Sequence, residues 1–334
     1  MIVKQNSTSR RIVRSTYSGM RYAFTCVTLC ALFNASVLAQ TSPSDCTLRI
    51  ASGPNGKIYE LMVRDMQSVC GESVAICSVT SSGGLQNLDL LSANAAEMGV
   101  VQVDTLAAMR DSDENMRGLQ IVMPLHANLL HVISNSAGSL VDASFINGIR
   151  IPGTGEKVVI RNFSELKGMT VALVGSALLM GQTLERQLAY GMKFVTADTD
   201  EQALELLKQG KVQAAFTLGG WPLPSVSRLK TGQGVQLVNF NLEPHSPYLS
   251  VRRNYQNLEA FNINFLAVPN VLVTRPFKAG GVMGSHVSQL QSCLRQHLDT
   301  LQEGRYQPSW KEIKDVTLTY DISPFSAKIT SPRK

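Results

Sequence analysis

The sequence lacks the compositional biases that mark non-globular chains. Of its 334 residues, 17% are charged and 44% are hydrophobic, which excludes an intrinsically disordered chain. Its 25 glycines form no collagen-like repeat, and six cysteines are too few for a cysteine-dense miniprotein. A chain of this length is expected to form about two domains and to bury about 70–75% of the surface that it exposes when unfolded.

Sequence motifs of enzymes and metal sites are also missing. The chain has no GxSxG, HExxH or GxxxxGK motif, and the stretch GPNG at residues 53–56 does not fit GxGxxG. No CxxC pair or HxxxH partner accompanies the cysteines, so no zinc site is expected. The five histidines are scattered, and His126 and His131 are expected to be structural. The sequence therefore predicts a protein that is not an enzyme and that needs neither cofactor nor metal.

The positive charge is concentrated at the start of the chain. The formal net charge is +6, but residues 1–39 contain five basic residues and no acidic one. The rest of the chain has 26 basic residues against 25 acidic ones, so no nucleic-acid partner is expected.

Residues 1–39 have the parts of a secretory signal peptide. An apolar run at residues 22–33 follows the basic start, and the small or apolar residues Val37 and Ala39 precede the expected cleavage point. The alternatives are a membrane anchor, for which the run is short, and a translation start at Met20. Cleavage after Ala39 and a periplasmic location are predicted, and no later segment is expected to span a bilayer.

Export changes what the cysteines are expected to do. Cys46, Cys70, Cys77 and Cys293 remain after cleavage and allow three disulfide pairings. Cys70 and Cys77 flank a short segment and would close a small loop, which would leave Cys46 to pair with Cys293. Four buried thiols are the alternative.

Strands and helices alternate along the mature chain. Short apolar strands are predicted at 46–51, 74–79, 98–103 and 119–124, with helices between the first three. A second cycle begins after residue 160, with strands at 170–174, 212–218, 264–268 and 271–274. This order predicts an α/β fold with mainly parallel sheets covered by helices.

Glycine- and serine-rich loops follow several predicted strands. They lie at residues 52–56, 80–84, 175–182 and 218–221, where an open α/β sheet binds its ligands. Three of them open a helix, whose first N–H groups have no partners within the helix and suit a carboxylate. Ordinary helix caps are the alternative for any one loop, but the recurrence in both cycles favours a ligand cleft.

The order of these segments resembles the TAXI family, the extracytoplasmic solute receptors of TRAP transporters. The resemblance covers roughly residues 47–300 and is carried by the stretches 53–59 (GPNGKIY), 80–88 (TSSGGLQNL), 98–104 (MGVVQVD), 163–171 (FSELKGMTV), 175–183 (GSALLMGQT), 203–216, 219–222 (GGWP) and 267–275 (AVPNVLVTR).

The resemblance implies a two-lobed, type II periplasmic-binding-protein-like fold with two crossover strands and a ligand in the cleft between the lobes. Because the strand cycles break at 136–160 and 261–275, lobe one is expected at 44–135 plus 269–325 and lobe two at 161–268. Residues 136–160 are expected to form an inserted loop or hairpin. The implied function is capture of a small anionic or zwitterionic solute, carboxylate or amino-acid-like, by a monomer that delivers it to a TRAP-type permease.

Loops from both lobes are expected to meet across the cleft and contact the ligand. Serine and asparagine can hydrogen-bond a carboxylate, and Asp104 suits an amino group or hydroxyl of the ligand. Trp221 is expected to form a wall of the cleft, and capping of the following helix is the alternative role of Asp104. The predicted ligand-binding residues are Asn55, Tyr59, Ser82, Gly83, Gly84, Asn87, Gln102, Asp104, Ser176, Thr183, Gly220 and Trp221.

A second function from a different class is compatible with the same scaffold. A secreted enzyme or a ligand-sensing subunit would share the two lobes, because a fold does not fix a function. An enzyme would need a nucleophile or an acid–base pair that converges in the cleft, and the sequence shows no such pair.

Overall fold

The computed structural model describes residues 46–315, except 142–144, 148, 152–153 and 279. The predicted signal peptide and its cleavage point after Ala39 lie outside the described residues. In the described part of the chain, no helix is long and apolar enough to cross a membrane.

The first half of the described chain alternates strands and helices as predicted. Its elements are β1 (Leu48–Gly53), α1 (Ile58–Cys70), β2 (Ile76–Thr80), α2 (Gly84–Ser92), β3 (Met98–Gln102), α3 (Val103–Ser112), α4 (Glu114–Arg117) and β4 (Gln120–Asn135). Helix α1 forms because its apolar residues recur every three or four positions, so that Met62, Met66 and Cys70 are buried on one face.

The second half adds an excursion, a second α/β cycle and a return segment. Its elements are β5 (Ser139–Val141), β6 (Phe145–Ile146), β7 (Ile149–Arg150), β8 (Glu156–Val158), β9 (Thr170–Val174), α5 (Ala177–Leu188), β10 (Lys193–Ala197), α6 (Asp200–Lys208), β11 (Ala214–Gly219), α7 (Pro224–Ser227), β12 (Val235–Leu237), β13 (Leu249–Tyr255), β14 (Ala260–Thr274), α8 (Val282–Gln296) and α9 (Leu298–Glu303). Short 3₁₀ helices occupy Phe163–Leu166, Gln256–Leu258 and Pro308–Asp315.

One sheet runs through both lobes in the order β10-β9-β11-β4-β14-β3-β1-β2. Strand β1 pairs in parallel with β2 and β3, and β9 pairs in parallel with β10 and β11. The long strands β4 and β14 pair antiparallel with each other and connect the two parallel groups. The predicted fold class, two α/β lobes joined by two crossover strands, is confirmed.

The crossover strands are longer than predicted. The predicted strand at 119–124 continues to Asn135, and the two predicted strands at 264–268 and 271–274 form one strand. Proline lacks an N–H group and cannot donate to a strand ladder. Pro269 lies at a register shift of the β4–β14 ladder, and Pro124 pairs just beyond it, so both are accommodated within the long strands. Strand β10 was not predicted.

Each lobe has its own hydrophobic core on both faces of the sheet. The first lobe buries side chains from β1, α1, β3 and α8 around Trp310. The second buries side chains from β9, α5, α6 and β11 around Phe163 and Phe216. Within β4, Leu125 belongs to the first core and Ala127 to the second. The predicted limits of the lobes, 44–135 plus 269–325 for lobe one and 161–268 for lobe two, stay a prediction.

The expected excursion at 136–160 consists of two short ribbons in its described part. Strand β5 pairs antiparallel with β8, and β6 pairs antiparallel with β7. Gln213, just before β11, donates a hydrogen bond to the Leu140 carbonyl (3.4 Å) and so connects the β5–β8 ribbon to lobe two.

The disulfides differ from the suggested small loop. Cys46 pairs with Cys77, and Cys70 pairs with Cys293. Sequence spacing gave the wrong pairing because the partners are brought together by packing. Cys46 lies just before β1, which pairs in parallel with β2, where Cys77 is. Cys70 ends α1, which packs on α8, where Cys293 is. Four buried thiols are likewise excluded. One bond closes a 31-residue separation and the other a 223-residue separation.

We predict that the second disulfide contributes more stability than the first. The chain-entropy model gives about 3.7 kcal/mol for the shorter loop and about 5.4 kcal/mol for the longer one. Cys70→Ser with Cys293→Ser should therefore lower the free energy of unfolding more than Cys46→Ser with Cys77→Ser, as measured by urea denaturation. Peptide mapping of the non-reduced protein should show Cys46 linked to Cys77, and a Cys70–Cys77 peptide would contradict the pairing.

Candidate functional site

The two lobes meet at a buried acid. Asp104 follows β3 at the start of α3 in lobe one, and only 7% of its surface is exposed. Its Oδ2 accepts a hydrogen bond from the hydroxyl of Tyr248 in lobe two (3.2 Å). Its Oδ1 accepts one from the backbone N–H of Thr105 (2.7 Å). Asp104 is not the N-cap of α3, which is Gln102, so the capping role that was the alternative is not seen, and its carboxyl group contacts the other lobe instead.

The electrostatics of this contact are unusual for a carboxylate. Burial raises the pKa of Asp104, although hydrogen bonds from Thr105 and Tyr248 favour the charged form. Burial and the nearby Asp104 charge raise the pKa of Tyr248, so this tyrosine is a neutral donor. None of the ion pairs in the described part of the chain involves Asp104. The site therefore has a carboxyl group with hydrogen-bond donors but without a cation.

A second polar group lies where the crossover strands change register. Across the shift, Asn270 of β14 faces the two residues between Pro124 and Ala127 of β4, which makes a β-bulge. The Asn270 side chain donates a hydrogen bond to the His126 carbonyl within the bulge (2.9 Å). On its other side Asn270 pairs with Gln102 of β3. The bulge thus places polar side chains in the buried middle of the sheet, between the two hydrophobic cores.

Tyr59 and Asn128 complete this polar group. The Tyr59 hydroxyl donates to Asn270 Oδ1 (2.5 Å), and Asn128 Nδ2 lies 3.3 Å from the Tyr59 hydroxyl and 3.4 Å from Asn270 Oδ1. Burial raises the pKa of Tyr59, with the Asp104 charge as a smaller cause. This Asp104 effect indicates that the bulge residues and the lobe contact belong to one electrostatic environment.

His126 lies at the same place with one nitrogen unpartnered. Its ring contacts Tyr59 edge-on at 5.7 Å between centroids, and its Nε2 lies 3.2 Å from Asn270 Nδ2. Its Nδ1 is buried without a hydrogen-bond partner. Burial lowers the pKa of His126 to about 4, so the ring is neutral at pH 7. Because the asparagine amide donates, Nε2 is assigned as the acceptor and Nδ1 as the N–H donor.

Several predicted anion donors already have acceptors within the chain. The Gly56 N–H donates to the Glu60 carboxylate (3.0 Å), and the Ser82 N–H donates to the Gln86 side chain (2.6 Å). The Gly83 N–H donates to the Ser81 hydroxyl (3.1 Å). These three loop N–H groups are therefore already used within the chain, although neither α1 nor α2 has a side-chain cap at its N-cap residue. The predicted loop at 175–182 is mostly the first turns of α5, and Ser176 at its start makes no side-chain capping bond.

The remaining predicted residues divide between the lobe contact and other roles. Asn87 is fully buried and donates to the carbonyls of Ser52 (3.3 Å) and Val100 (2.7 Å), so it connects strands rather than facing a ligand. Asn55 is exposed and accepts a hydrogen bond from the Thr80 hydroxyl (3.2 Å). Gly84 packs against the backbone at Gln102, which is itself buried at the end of β3.

In lobe two, Thr183 and Gly220 lie at the joint between the lobes. Thr183 lies close enough to Tyr248 to lower its pKa, and the Thr183 hydroxyl accepts a hydrogen bond from Arg186 (3.1 Å). A Cβ on Gly220 would come within 2.6 Å of the Ile58 Cδ1 atom and 3.6 Å of His126, so the Ile58 side chain would have to shift to admit one. The Trp221 indole instead donates to the Asn254 carbonyl (3.3 Å), and the Arg253 guanidinium lies 5.4 Å from its ring centroid. The predicted cleft-wall role of Trp221 stays a prediction.

The structure thus brings Tyr59, Gln102, Asp104, Thr183 and Gly220 towards one region and adds residues that the sequence analysis did not select. The additions are His126, Asn128, Tyr248 and Asn270. The sequence did contain a signal for Asn128 and Asn270. Both are asparagines inside apolar strands, and a buried polar side chain needs a hydrogen-bond partner. No group of three or more His, Cys, Asp or Glu side chains suited to a metal occurs among the described residues.

The chain belongs to the NMT1-like family, whose model matches residues 50–276. Among solved structures, it is similar to Tv2483 bound to L-arginine, with 11% identity, 79% of this chain and 89% of that chain covered, and a TM-score of 0.48. It is also similar to an ancestral arginine-binding protein bound to arginine (13%, 80% and 96% covered, TM-score 0.45). A third is the GluR0 ligand-binding core from Nostoc punctiforme with L-glutamate (12%, 80% and 97% covered, TM-score 0.44).

The buried histidines predict how stability changes with pH. Burial lowers the pKa of His126 to about 4 and that of His131 to about 3, from 6.5. Below about pH 6.5 the unfolded chain therefore binds protons that the folded chain does not, and the free energy of unfolding falls as the pH drops. Each histidine contributes a slope of up to about 1.4 kcal/mol per pH unit. His126→Gln should remove one of these two contributions.

Urea denaturation between about pH 7 and pH 5 measures this slope. The raised pKa of Asp104 stabilises the fold at low pH, with the opposite sign, and this contribution is common to the wild type and the variant. His245→Gln, at an exposed position, is the matched control. An unchanged slope in His126→Gln would show that His126 is not a buried neutral ring.

Proposed function

We propose that this protein is an extracytoplasmic receptor that closes its two lobes on a small zwitterionic, amino-acid-like solute. The observation that carries the proposal is Asp104, a buried carboxyl group at the contact between the lobes that has no cationic partner. Burying a charge without a counter-charge costs free energy, and a ligand ammonium group would supply that charge. Neither lobe alone forms the complete site. Opening of the lobes would therefore weaken binding and allow the ligand to leave.

Three loop N–H groups of lobe one, those of Gly56, Ser82 and Gly83, are bound to Glu60, Gln86 and Ser81 and are not available to a ligand carboxylate. In lobe two, α5 begins without a side-chain capping bond, as α1 and α2 do, and its N-terminus offers a place for the ligand carboxylate. Ammonium recognition by lobe one and carboxylate recognition by lobe two would couple binding to closure.

The proposed biological role is delivery of the solute to a membrane transporter. Two disulfides in the described chain support an oxidising location outside the cytoplasm. The ordered motifs that resemble the TAXI family support a TRAP-type permease as the partner. On this proposal the leader is removed after Ala39, the protein acts in the periplasm as a monomer, and it has no catalytic activity.

We predict that Asp104→Asn weakens binding of L-amino acids. The charge-assisted hydrogen bond to the ligand ammonium is worth about 1.5–3 kcal/mol, so affinity should fall about 10–150-fold. A panel of L-amino acids, each paired with the hydroxy acid of the same side chain, would be titrated by calorimetry. The wild type should prefer the amino acid, and the variant should lose that preference.

Asp89→Asn is the matched control because Asp89 lies exposed on α2. It removes the same charge and should bind as the wild type does. Equal affinity of the wild type for the amino acid and the hydroxy acid would contradict the proposed role of Asp104. Native mass spectrometry of the protein purified from its host would identify the solute that co-purifies, and a solute without an amino group would also contradict the proposal.

A further inference from the structure

A hollow lies at the opposite end of lobe two from the contact with lobe one. Residues at the start of β9 and β10, the end of α6 and the β5–β8 ribbon line it, and its volume is about 830 Å³. Ligands of open α/β sheets bind beyond the carboxyl ends of the strands, but this hollow is at their amino ends. It is therefore separate from the site at Asp104.

Four lysines from four different elements surround the hollow. They are Lys157 on β8, Lys167 after the 3₁₀ helix at Phe163–Leu166, Lys193 on β10 and Lys208 on α6. All four are exposed, and none of them forms an ion pair in the described part of the chain. No lining residue is acidic. The chain after residue 39 is close to neutral, with 26 basic and 25 acidic residues, so this cluster is a local concentration of charge.

Exposed apolar side chains also occur in the excursion at 136–160. Leu140 on β5 lines the hollow and is 41% exposed. In the β6–β7 hairpin of the same excursion, Ile146 and Ile149 are 63% and 74% exposed. These two isoleucines pair across the hairpin, which brings their side chains together into one apolar spot. Contiguous exposed apolar side chains occur at interaction sites with proteins and membranes, and this spot is a candidate for such a contact.

We propose that this surface docks the protein on an anionic lipid bilayer. The four lysines would contact headgroup phosphates, and Ile146 and Ile149 would enter the interfacial layer. Each lysine near a negatively charged leaflet strengthens binding about fivefold, and stable attachment needs an apolar contribution in addition. Because the hollow and the lobe contact are at opposite ends of β9, docking leaves the site at Asp104 accessible. The proposal concerns membrane attachment and does not depend on which solute is bound.

Vesicle co-flotation of the mature protein tests the proposal. Vesicles of phosphatidylcholine alone would be compared with vesicles containing about one third phosphatidylglycerol, in about 0.1 M salt, where charges are screened beyond about 10 Å. The protein should float only with the anionic vesicles. The quadruple variant Lys157→Gln, Lys167→Gln, Lys193→Gln and Lys208→Gln should bind them at least about 100-fold more weakly.

Two further variants distinguish a specific surface from general charge. The control quadruple Lys57→Gln, Lys230→Gln, Lys278→Gln and Lys311→Gln changes four exposed lysines that do not line the hollow, and it should bind within about threefold of the wild type. Ile146→Ser with Ile149→Ser should weaken vesicle binding about tenfold. Circular dichroism would verify that each variant is folded.

Three results would overturn the proposal. The first is no flotation with anionic vesicles, which would also be the result if the partner of this surface were an acidic protein. The second is equal binding by the two lysine quadruple variants. The third is unchanged binding after the isoleucine substitutions.

Discussion

Both lobes depend on the antiparallel pairing of β4 with β14. Each strand is continuous from one core into the other, so the connection between the lobes is a hydrogen-bonded ladder and not a flexible linker. Pro269 of β14 cannot donate to such a ladder, and it lies at the register shift where the bulge forms. The Asn270 side chain compensates for the interruption by donating to the His126 carbonyl. The interruption of the ladder is what places a polar group between two apolar cores.

The same constraint determines the chemistry of the site. Tyr59, Asn128 and Asn270 share hydrogen bonds and have no formal charge between them. His126 is neutral at pH 7 because burial lowers its pKa to about 4. Asp104 is the buried acid at the lobe contact, and the Arg186 guanidinium of lobe two donates to the Thr183 hydroxyl (3.1 Å) near Tyr248. On our proposal, Asp104 binds the ligand ammonium group.

The sequence predicted the fold class because α/β alternation and buried strands leave a strong local pattern. The same pattern selected Asp104 as a candidate ligand contact because it follows a strand end, and that role stays a prediction. The sequence did not predict Tyr248, which lies in a stretch without periodicity, or the disulfide pairing, which depends on how β1 meets β2 and how α1 meets α8. It predicted Asn87 as a ligand contact, but the hydrogen bonds of that side chain connect the strands. Local pattern shows where polar residues occur, and only the packing shows whether their hydrogen bonds are already used.

The most direct test of the account is a crystal structure of the protein with the solute that co-purifies from its host. The account predicts a positively charged nitrogen of the solute within hydrogen-bond distance, about 2.7–3.2 Å, of the Asp104 carboxylate. It also predicts that Tyr248 and the N-terminus of α5 close over the solute from lobe two. A solute bound away from Asp104, or one that presents a carboxylate or an apolar group to it, would contradict the account.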